Sequence, residues 1–591
     1  MSLFAGTRGP PNAPIVIVGE AYGFEEAQRG LPFIGASGHE IDRMLAEAGV
    51  NPNDVLFTNV AQLRPQNNEM WRLFHPKAKP SGTPLVGGLD PTRELCAEIE
   101  RLEQQLAASP RQLVLAAGNY PLWALTREAG TVVLRASGGR PIAKEEQRVV
   151  PSGIMSWRGS MWYRANDRLN EHAPLPYNGN QKLLPIIHPA AILRQWPLRG
   201  PTVHDLRSRV RMALRNDWRH PVPPTFLAPP TFKECVDTLR MWLSRADAGT
   251  ATLLAEDCET ARGFLTCLGF ADSPQFAMSI PFIRIEGDRS FGSWWTIAEE
   301  ATIIGLIHRV NSHPNIRVIG QNFIYDTQYI EHWLAATPSL FWDTMLAQNV
   351  LFPGTPKGLD YLSSLYCKYH WYWKEDHKEW DLRGRIEDLL VYNCWDNVRT
   401  FEVAHQQLLV MDQANLTEQM KLKMKTAQLC LRMMRRGIRV DLPKRGKVSF
   451  ELEAASFELA KELEEIIPQD WVSPGNKTPW YRSDTQTRYL FYDRLGFSVQ
   501  KDRKTGQPSV GKEARKQLEK KYPEFAGLFN RLRLYGSVEN SHNVVNAGLD
   551  SDSRLRCSYS PSAETHRLIS SKTPFGRGMN LQNLTKGEED D

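Results

Sequence analysis

Residues 252–260 read TLLAEDCET, an apolar run Thr252–Ala255 that ends in Glu256-Asp257-Cys258-Glu259-Thr260. Alternate residues of an extended chain face the same side, so Asp257 and Glu259 project together. Two carboxylates side by side repel unless a cation lies between them, and Mg²⁺ prefers such hard oxygen ligands. Taken alone, the pattern also fits an exposed acidic strand end. Downstream, Val318-Ile319-Gly320 leads into QNFIYD, residues 321–326, which reads as a strand entering a helix with Asn322 and Asp326 one turn apart on one face. A third piece, Tyr392-Asn393-Cys394-Trp395-Asp396, lies within the helical run 385–405, and its Tyr392 and Asp396 can again face one site.

Working outward, strands alternate with helical patterns on both sides of this stretch. The front has apolar strands at Ile15–Val18, Leu113–Leu115 and Leu183–Ile187, with helical patterns at 38–48 and 91–107 between them. Such alternation indicates α/β units with mainly parallel sheets. Residues 217–231 contain five prolines and read as an extended linker. From 411 the pattern turns helical, with long amphipathic stretches at 418–436 and 444–466 and Gly437 as C-cap of the first. The expected fold class is therefore α/β multidomain: a front α/β domain over 1–216, the linker 217–231, a second α/β domain over 232–410 and a mainly helical module over 411–591.

Composition sets the outer bounds. At 591 residues the chain is too long for one hydrophobic core. Its 41% hydrophobic and 24% charged content is ordinary for a soluble globular protein. No apolar stretch approaches bilayer-spanning length, and the start has no signal-peptide pattern, so the expected location is cytoplasmic, with no membrane partner. Eight scattered cysteines without a CxxC pair argue against disulfides and structural zinc. The net charge of +5 permits nucleic-acid binding without demanding it; from 411 onward there are 31 Lys+Arg against 24 Asp+Glu.

In order and spacing, the three acidic pieces resemble the three motifs of the DEDD exonucleases, in the subtype with tyrosine in the third. Strand 264–271, Ile280-Pro281-Phe282 and Trp342-Asp343-Thr344-Met345 resemble the same RNase H-like domain of family A DNA polymerases. The resemblance implies a 3′→5′ exonuclease using two divalent ions, Mg²⁺ or Mn²⁺. It makes Asp257, Glu259, Asp326 and Asp396 the metal ligands and Tyr392 the residue orienting the attacking water. Asn322 would contact the DNA.

The last third resembles the thumb and first part of the palm of the same polymerases, through MRRGIRVD at 434–441, GQPSV at 506–510, Arg531-Leu532-Arg533, THRLISS at 565–571 and NLQNL at 580–584. That likeness places Arg567 and Gln582 against primer–template DNA. The palm motifs D-x-S-x-x-E and H-D-E are absent from the chain, which stops at TKGEEDD. Polymerisation by this chain alone is therefore not expected, and a second chain carrying palm and fingers is one expected partner.

The front third resembles the uracil-DNA glycosylase superfamily, closest to family 4, through GEAYGFEE at 19–26, GLPFIG at 30–35, Thr58-Asn59-Val60 with Arg64-Pro65, and HPAAILR at 188–194. By that likeness Phe33 stacks on a flipped base, Asn59 reads its edge, His188 stabilises the departing base and Glu20 lies near the attacking water. Two departures stand out. Tyr22 replaces the family's usual proline and is expected to crowd the pocket. Of the family's four cluster cysteines only Cys96 has a counterpart, so no iron–sulfur cluster is expected. Together the three parts resemble the replicative polymerase of large bacteriophages, acting in the cytoplasm of an infected bacterial host. Two other readings stay open: a stand-alone repair enzyme joining exonuclease and glycosylase, and a non-catalytic DNA-binding accessory subunit.

Overall fold

A computed structural model describes residues 4–82, 85–108, 112–127, 130–137, 140–163, 181–215, 222–285, 291–373, 384–467, 478–502 and 506–583. In the front domain, β1 (Ile15–Ala21), β2 (Val55–Ala61), β3 (Leu113–Ala117), β4 (Trp162–Tyr163) and β5 (Lys182–Ile186) form one sheet in the order β2-β1-β3-β5-β4. All pairs are parallel except β4 with β5. Every residue of β2, β3 and β5 is buried, as a parallel sheet covered on both faces requires. The alternation divides the core. Val16, Val18, Leu56 and Val60 join one cluster with Leu102 and Trp123, while Ile15, Ile17 and Phe57 join another with Ile41 and Leu184. The expected helices appear as α1 (Ala36–Glu47) and α2 (Arg93–Ala107), the latter capped by Thr92 Oγ1 accepting from the Leu95 amide. Further along, α3 (Asn119–Thr126) follows β3 and α4 (Pro189–Arg194) follows β5.

The second domain is built on β6 (Thr225–Leu227), β7 (Thr252–Ala261), β8 (Phe264–Ser273), β9 (Phe276–Pro281), β10 (Ile316–Gly320) and β11 (Leu340–Asp343), in the order β6-β9-β8-β7-β10-β11. The β7-β8-β9 meander is antiparallel, and β10 and β11 add in parallel. Helices α5 (Phe232–Asp247) and α6 (Ile297–Ser312) begin with reciprocal capping pairs, Thr231 with Glu234 and Thr296 with Glu299. α7 (Ile324–Leu334), α8 (Thr344–Leu351), α9 (Leu359–Tyr366) and the 28-residue α10 (Ile386–Gln413) complete it.

Two expected boundaries need correction. Residues 217–221 of the expected linker lie outside the described residues, and 225–227 are not a free connector: β6 pairs with β9 and extends the sheet. The expected break at 410/411 falls inside α10, because the helical register continues to Gln413.

By contacts the chain divides into two compact units. One includes both α/β domains through Thr426 and takes in Ser562–Arg567; the other includes Ala427–Pro561 and the residues from Leu568. Connecting the helical region are α11 (Thr417–Arg436) and α12 (Leu442–Ile466), with Gly437 between them in the left-handed conformation, its amide donating to the Met433 carbonyl as a C-cap should. Within the second unit α13 (Lys512–Lys521) and α14 (Ala526–Val545) pack with α12 around Leu463, Trp480, Phe491, Phe497, Phe529 and Leu532. Phe491 is fully buried with its ring 5.4 Å from Phe497 and 5.6 Å from Phe529. Phe491→Ala is expected to cost about 3–5 kcal/mol in chemical denaturation. A loss below about 1 kcal/mol would mean that this cluster collapses freely around the gap.

Candidate active sites

β7 lies in the interior of its sheet and carries Asp257 and Glu259 on one face, half-buried, with Cys258 buried between them on the other. α10 crosses β7, β8 and β9 and brings Asp396 to the same place. Ligand oxygens of Asp257, Glu259 and Asp396 all lie within 4.8 Å of one another. Their positions are set by neighbours. Asp257, Gly269 and Ser279 form one row across the three strands. Asn393 of α10 lies over that row, its Nδ2 donating to Asp257 Oδ2 at 2.9 Å and its Oδ1 accepting from Ser279 Oγ at 2.8 Å. A Cβ on Gly269 would lie 2.0 Å from Asn393 Oδ1, so only glycine allows the helix this close. Asp396 is fixed by Trp373, whose Nε1 donates to Oδ1 at 2.6 Å. Tyr392 is half-buried one turn before Asp396. Three crowded carboxylates with oriented oxygens are a donor set that suits a divalent cation.

Asp326, the fourth expected ligand, is buried on α7 and stands outside the group of three. Its Oδ1 accepts from the Cys258 amide at 3.1 Å. Burial raises its carboxyl to about 7, against the pull of that amide, and nearby Asp343 pushes the same way. Asp343 itself is raised to about 6 by burial although four amides, of Asn322, Phe323, Met345 and Leu346, donate to it. It thereby caps α8 and ties down the turn that enters α7. The pairing of Asn322 with Asp326 on one helical face is corrected: α7 starts at Ile324, and Asn322 lies before it, exposed and left-handed at φ 55°. Asparagine tolerates that conformation because its side chain can bond locally.

A separate cavity of about 670 Å³ opens in the front domain, lined among others by Glu20, Tyr22, Phe33, Asn59, His188 and Arg194. All four pocket residues expected from the sequence meet there. Gly19 pairs with Asn59 across β1 and β2, and a Cβ on it would strike Asn59 Oδ1 at 2.3 Å and the Phe33 ring at 2.6 Å. Phe33 is held left-handed, φ 56°, with its amide donating to Glu26 and its ring 5.4 Å from Phe57. The Asn59 Nδ2 group is buried without a hydrogen-bond partner among the described residues. His188 Nδ1 accepts from the Ala190 amide at 3.2 Å, which leaves the proton of the neutral ring on Nε2. Burial, aided by Arg194, lowers the His188 pKa to about 4; burial raises Glu20 to about 7, opposed by Arg194. Tyr22 lines the cavity, and its hydroxyl is committed to the Gly6 carbonyl at 2.9 Å.

Sequence reading missed the roles of Asn393, Trp373 and Asp343. The signal for Asn393 was Gly269, a glycine inside an apolar strand, which marks a close approach. Trp373 had none, since its partner is 23 residues away in sequence. Arg567 and Gln582 are both exposed, and Gln582 Nε2 donates to the Leu568 carbonyl. The segment from Leu584 lies outside the described residues.

With this geometry in hand, the likenesses to known proteins fall into place. Residues 7–208 match the uracil DNA glycosylase superfamily and 288–411 match a 3′–5′ exonuclease family. The second match contains Asp326, Tyr392 and Asp396, while Asp257 and Glu259 precede it. The type-4 uracil-DNA glycosylase of Archaeoglobus fulgidus is 48% identical over 60 residues, 10% of this chain and 30% of the relative. That of Pyrobaculum aerophilum is 46% identical over 54 residues, 9% of this chain and 28% of the relative. The chain thus spans less than a third of the curated relatives it matches. A solved POL domain of Pol1 from M. smegmatis, in complex with DNA primer-template and dNTP, gives TM-score 0.42 at 18% identity, covering 59% of this chain and 55% of that one. The chain holds a uracil-DNA-glycosylase-like domain followed by a 3′–5′ exonuclease domain. Among the described residues no helix is long and apolar enough to cross a membrane.

Two expectations follow. Gly269→Ala should lose about 1–3 kcal/mol by overpacking as Asn393 is displaced from Asp257; wild-type stability in chemical denaturation would contradict the close approach. The His188 imidazole should remain neutral at pH 6 with its proton on Nε2, as seen by nitrogen NMR. Because the unfolded chain takes up that proton first, its contribution to stability falls as pH drops from 6.5 towards about 4. An imidazole titrating near 6.5 would overturn both.

Proposed function

We propose that this chain belongs to a bacteriophage replicative DNA polymerase and that its second domain proofreads by hydrolysing DNA from the 3′ end. The observation that carries the exonuclease reading is the convergence of Asp257, Glu259 and Asp396. Asp257, Glu259 and Asp396, together with Asp326, would hold two Mg²⁺ or Mn²⁺ ions there. When bound, they supply Lewis-acid stabilisation of the charge developing on the scissile phosphodiester. The chain's own part is positional: Asn393 and Trp373 orient two of the carboxylates, and the Tyr392 hydroxyl orients the attacking water. Support for the polymerase context comes from the motifs after residue 434, with Arg567 and Gln582 as exposed DNA contacts. Polymerisation itself would need palm and fingers motifs.

Asp257→Ala should lower degradation of single-stranded DNA by roughly 10³-fold or more. Tyr392→Phe should be milder, about 10²-fold, with metal binding retained by calorimetry. Undiminished digestion by Asp257→Ala would sink the assignment.

For the front domain we propose recognition of an extruded base with weak or absent uracil excision. The unpartnered Asn59 Nδ2 favours this reading: a buried donor without an acceptor costs about 1–3 kcal/mol, which a base carbonyl would recover. Phe33 offers the stacking face, neutral His188 an Nε2–H for the departing base, and Glu20 a carboxyl that titrates near neutrality for the water. The check is alkali cleavage of a uracil-containing oligonucleotide after incubation with the full chain. Trace excision lost in His188→Ala is expected; many rapid turnovers would make this a working glycosylase, and no DNA binding through the pocket would remove the reading.

A further inference from the structure

Residues 363–373, the end of α9 and the segment after it, run between the front domain and the carboxylate cluster. At the front-domain end, Arg158 is completely buried and makes two 3.0 Å bonds to Asp205, while its Nη1 donates to Ser364 Oγ. Arg209 donates to the carbonyls of Ser364 at 3.3 Å, Cys367 at 2.7 Å and Lys368. Trp371 and Tyr372 then pack on Trp157 of the front domain, with ring centres 6.0 and 5.2 Å away. The next residue is Trp373, buried, and its Nε1 holds Asp396. From the other side Arg399 of α10 donates to the Tyr369 carbonyl at 2.9 Å and lies over the Trp373 ring.

We propose that 363–373 is a strap through which the glycosylase-like domain positions Asp396: Arg158 and Arg209 fix its beginning, and Trp373 delivers the hydrogen bond at its end. Trp373 is then a positioning residue of the exonuclease site, an assignment that rests on the metal-dependent reading above. The bonds explain why it should act at a distance. Arginine's planar fork grips several carbonyls at once, which lysine cannot reproduce. Asp396 has a choice of rotamers, and a 2.6 Å bond from a buried indole selects one.

The experiment uses the full chain, with Mn²⁺ binding followed by calorimetry and single-stranded DNA degradation followed over a Mn²⁺ series. Trp373→Phe keeps a ring and removes the donor; its Mn²⁺ dissociation constant is expected to rise about 10–100-fold, with the rate at saturating Mn²⁺ largely restored. Arg209→Lys, far from the carboxylates in sequence, should shift the same constant in the same direction. Ser364→Ala, which removes one bond to Arg158, should do so more weakly and serves should Arg209→Lys fold poorly. The double variant with Trp373→Phe should be no worse than Trp373→Phe alone, since both act through one contact. Unchanged Mn²⁺ binding in Trp373→Phe, or effects that multiply in the double variant, would overturn the strap. Wild-type protein that binds no Mn²⁺ dependent on Asp257 would instead remove the exonuclease reading on which it rests.

Discussion

Mutual repulsion among Asp257, Glu259 and Asp396 is the constraint around which the second domain is organised. Carboxylate oxygens within 4.8 Å of one another drift apart unless something holds them. The restraint comes from tertiary packing. A strand fixes two of the residues by alternation, and a helix must be laid against that strand closely enough to supply the third. Gly269 sets the distance of approach, Asn393 spans from Asp257 to Ser279, and Trp373 closes on Asp396 from outside the helix. The β7-β8-β9 meander supplies the row of Asp257, Gly269 and Ser279 on which that crossing rests.

The front domain solves a related problem by the same means. Gly19 stands directly across from Asn59, as Gly269 stands across from Asp257. In each case a missing Cβ leaves room for side-chain amides, Asn59 beside the Phe33 ring at Gly19 and Asn393 with Asn397 at Gly269. The two sites differ in electrostatics. The carboxylate group gathers charge, whereas the front-domain cavity suppresses it, burial moving both Glu20 and His188 towards their neutral forms.

What could be read from the sequence follows from how local each feature is. The alternation that pairs Asp257 with Glu259, the four-residue spacing of Tyr392 and Asp396, and the Gly437 cap are set within one element, and they were legible. So was the gathering of Glu20, Phe33, Asn59 and His188, because the motifs around them resemble a known arrangement. Asn322 was misplaced because a helix start is decided by where the amides find an acceptor, here Asp343, twenty residues on. The connector was misread because prolines at 223, 224, 229 and 230 leave Thr225–Leu227 free to pair with β9. Trp373 was invisible because it stands 23 residues before its partner, outside the helix that carries Asp396.

Phe33 shows what such sites ask of the rest of the protein. A non-glycine residue held at φ 56° costs roughly 1–2 kcal/mol, and the surrounding fold must carry that burden. Glu26, which accepts from its amide, and Gly38, whose absent Cβ leaves room for its carbonyl, enforce the conformation. Selection for thermal robustness alone would therefore drive glycine or asparagine into position 33, relaxing the backbone and discarding the aromatic face. A strained phenylalanine at position 33 thus keeps an aromatic face in the pocket at a cost in stability.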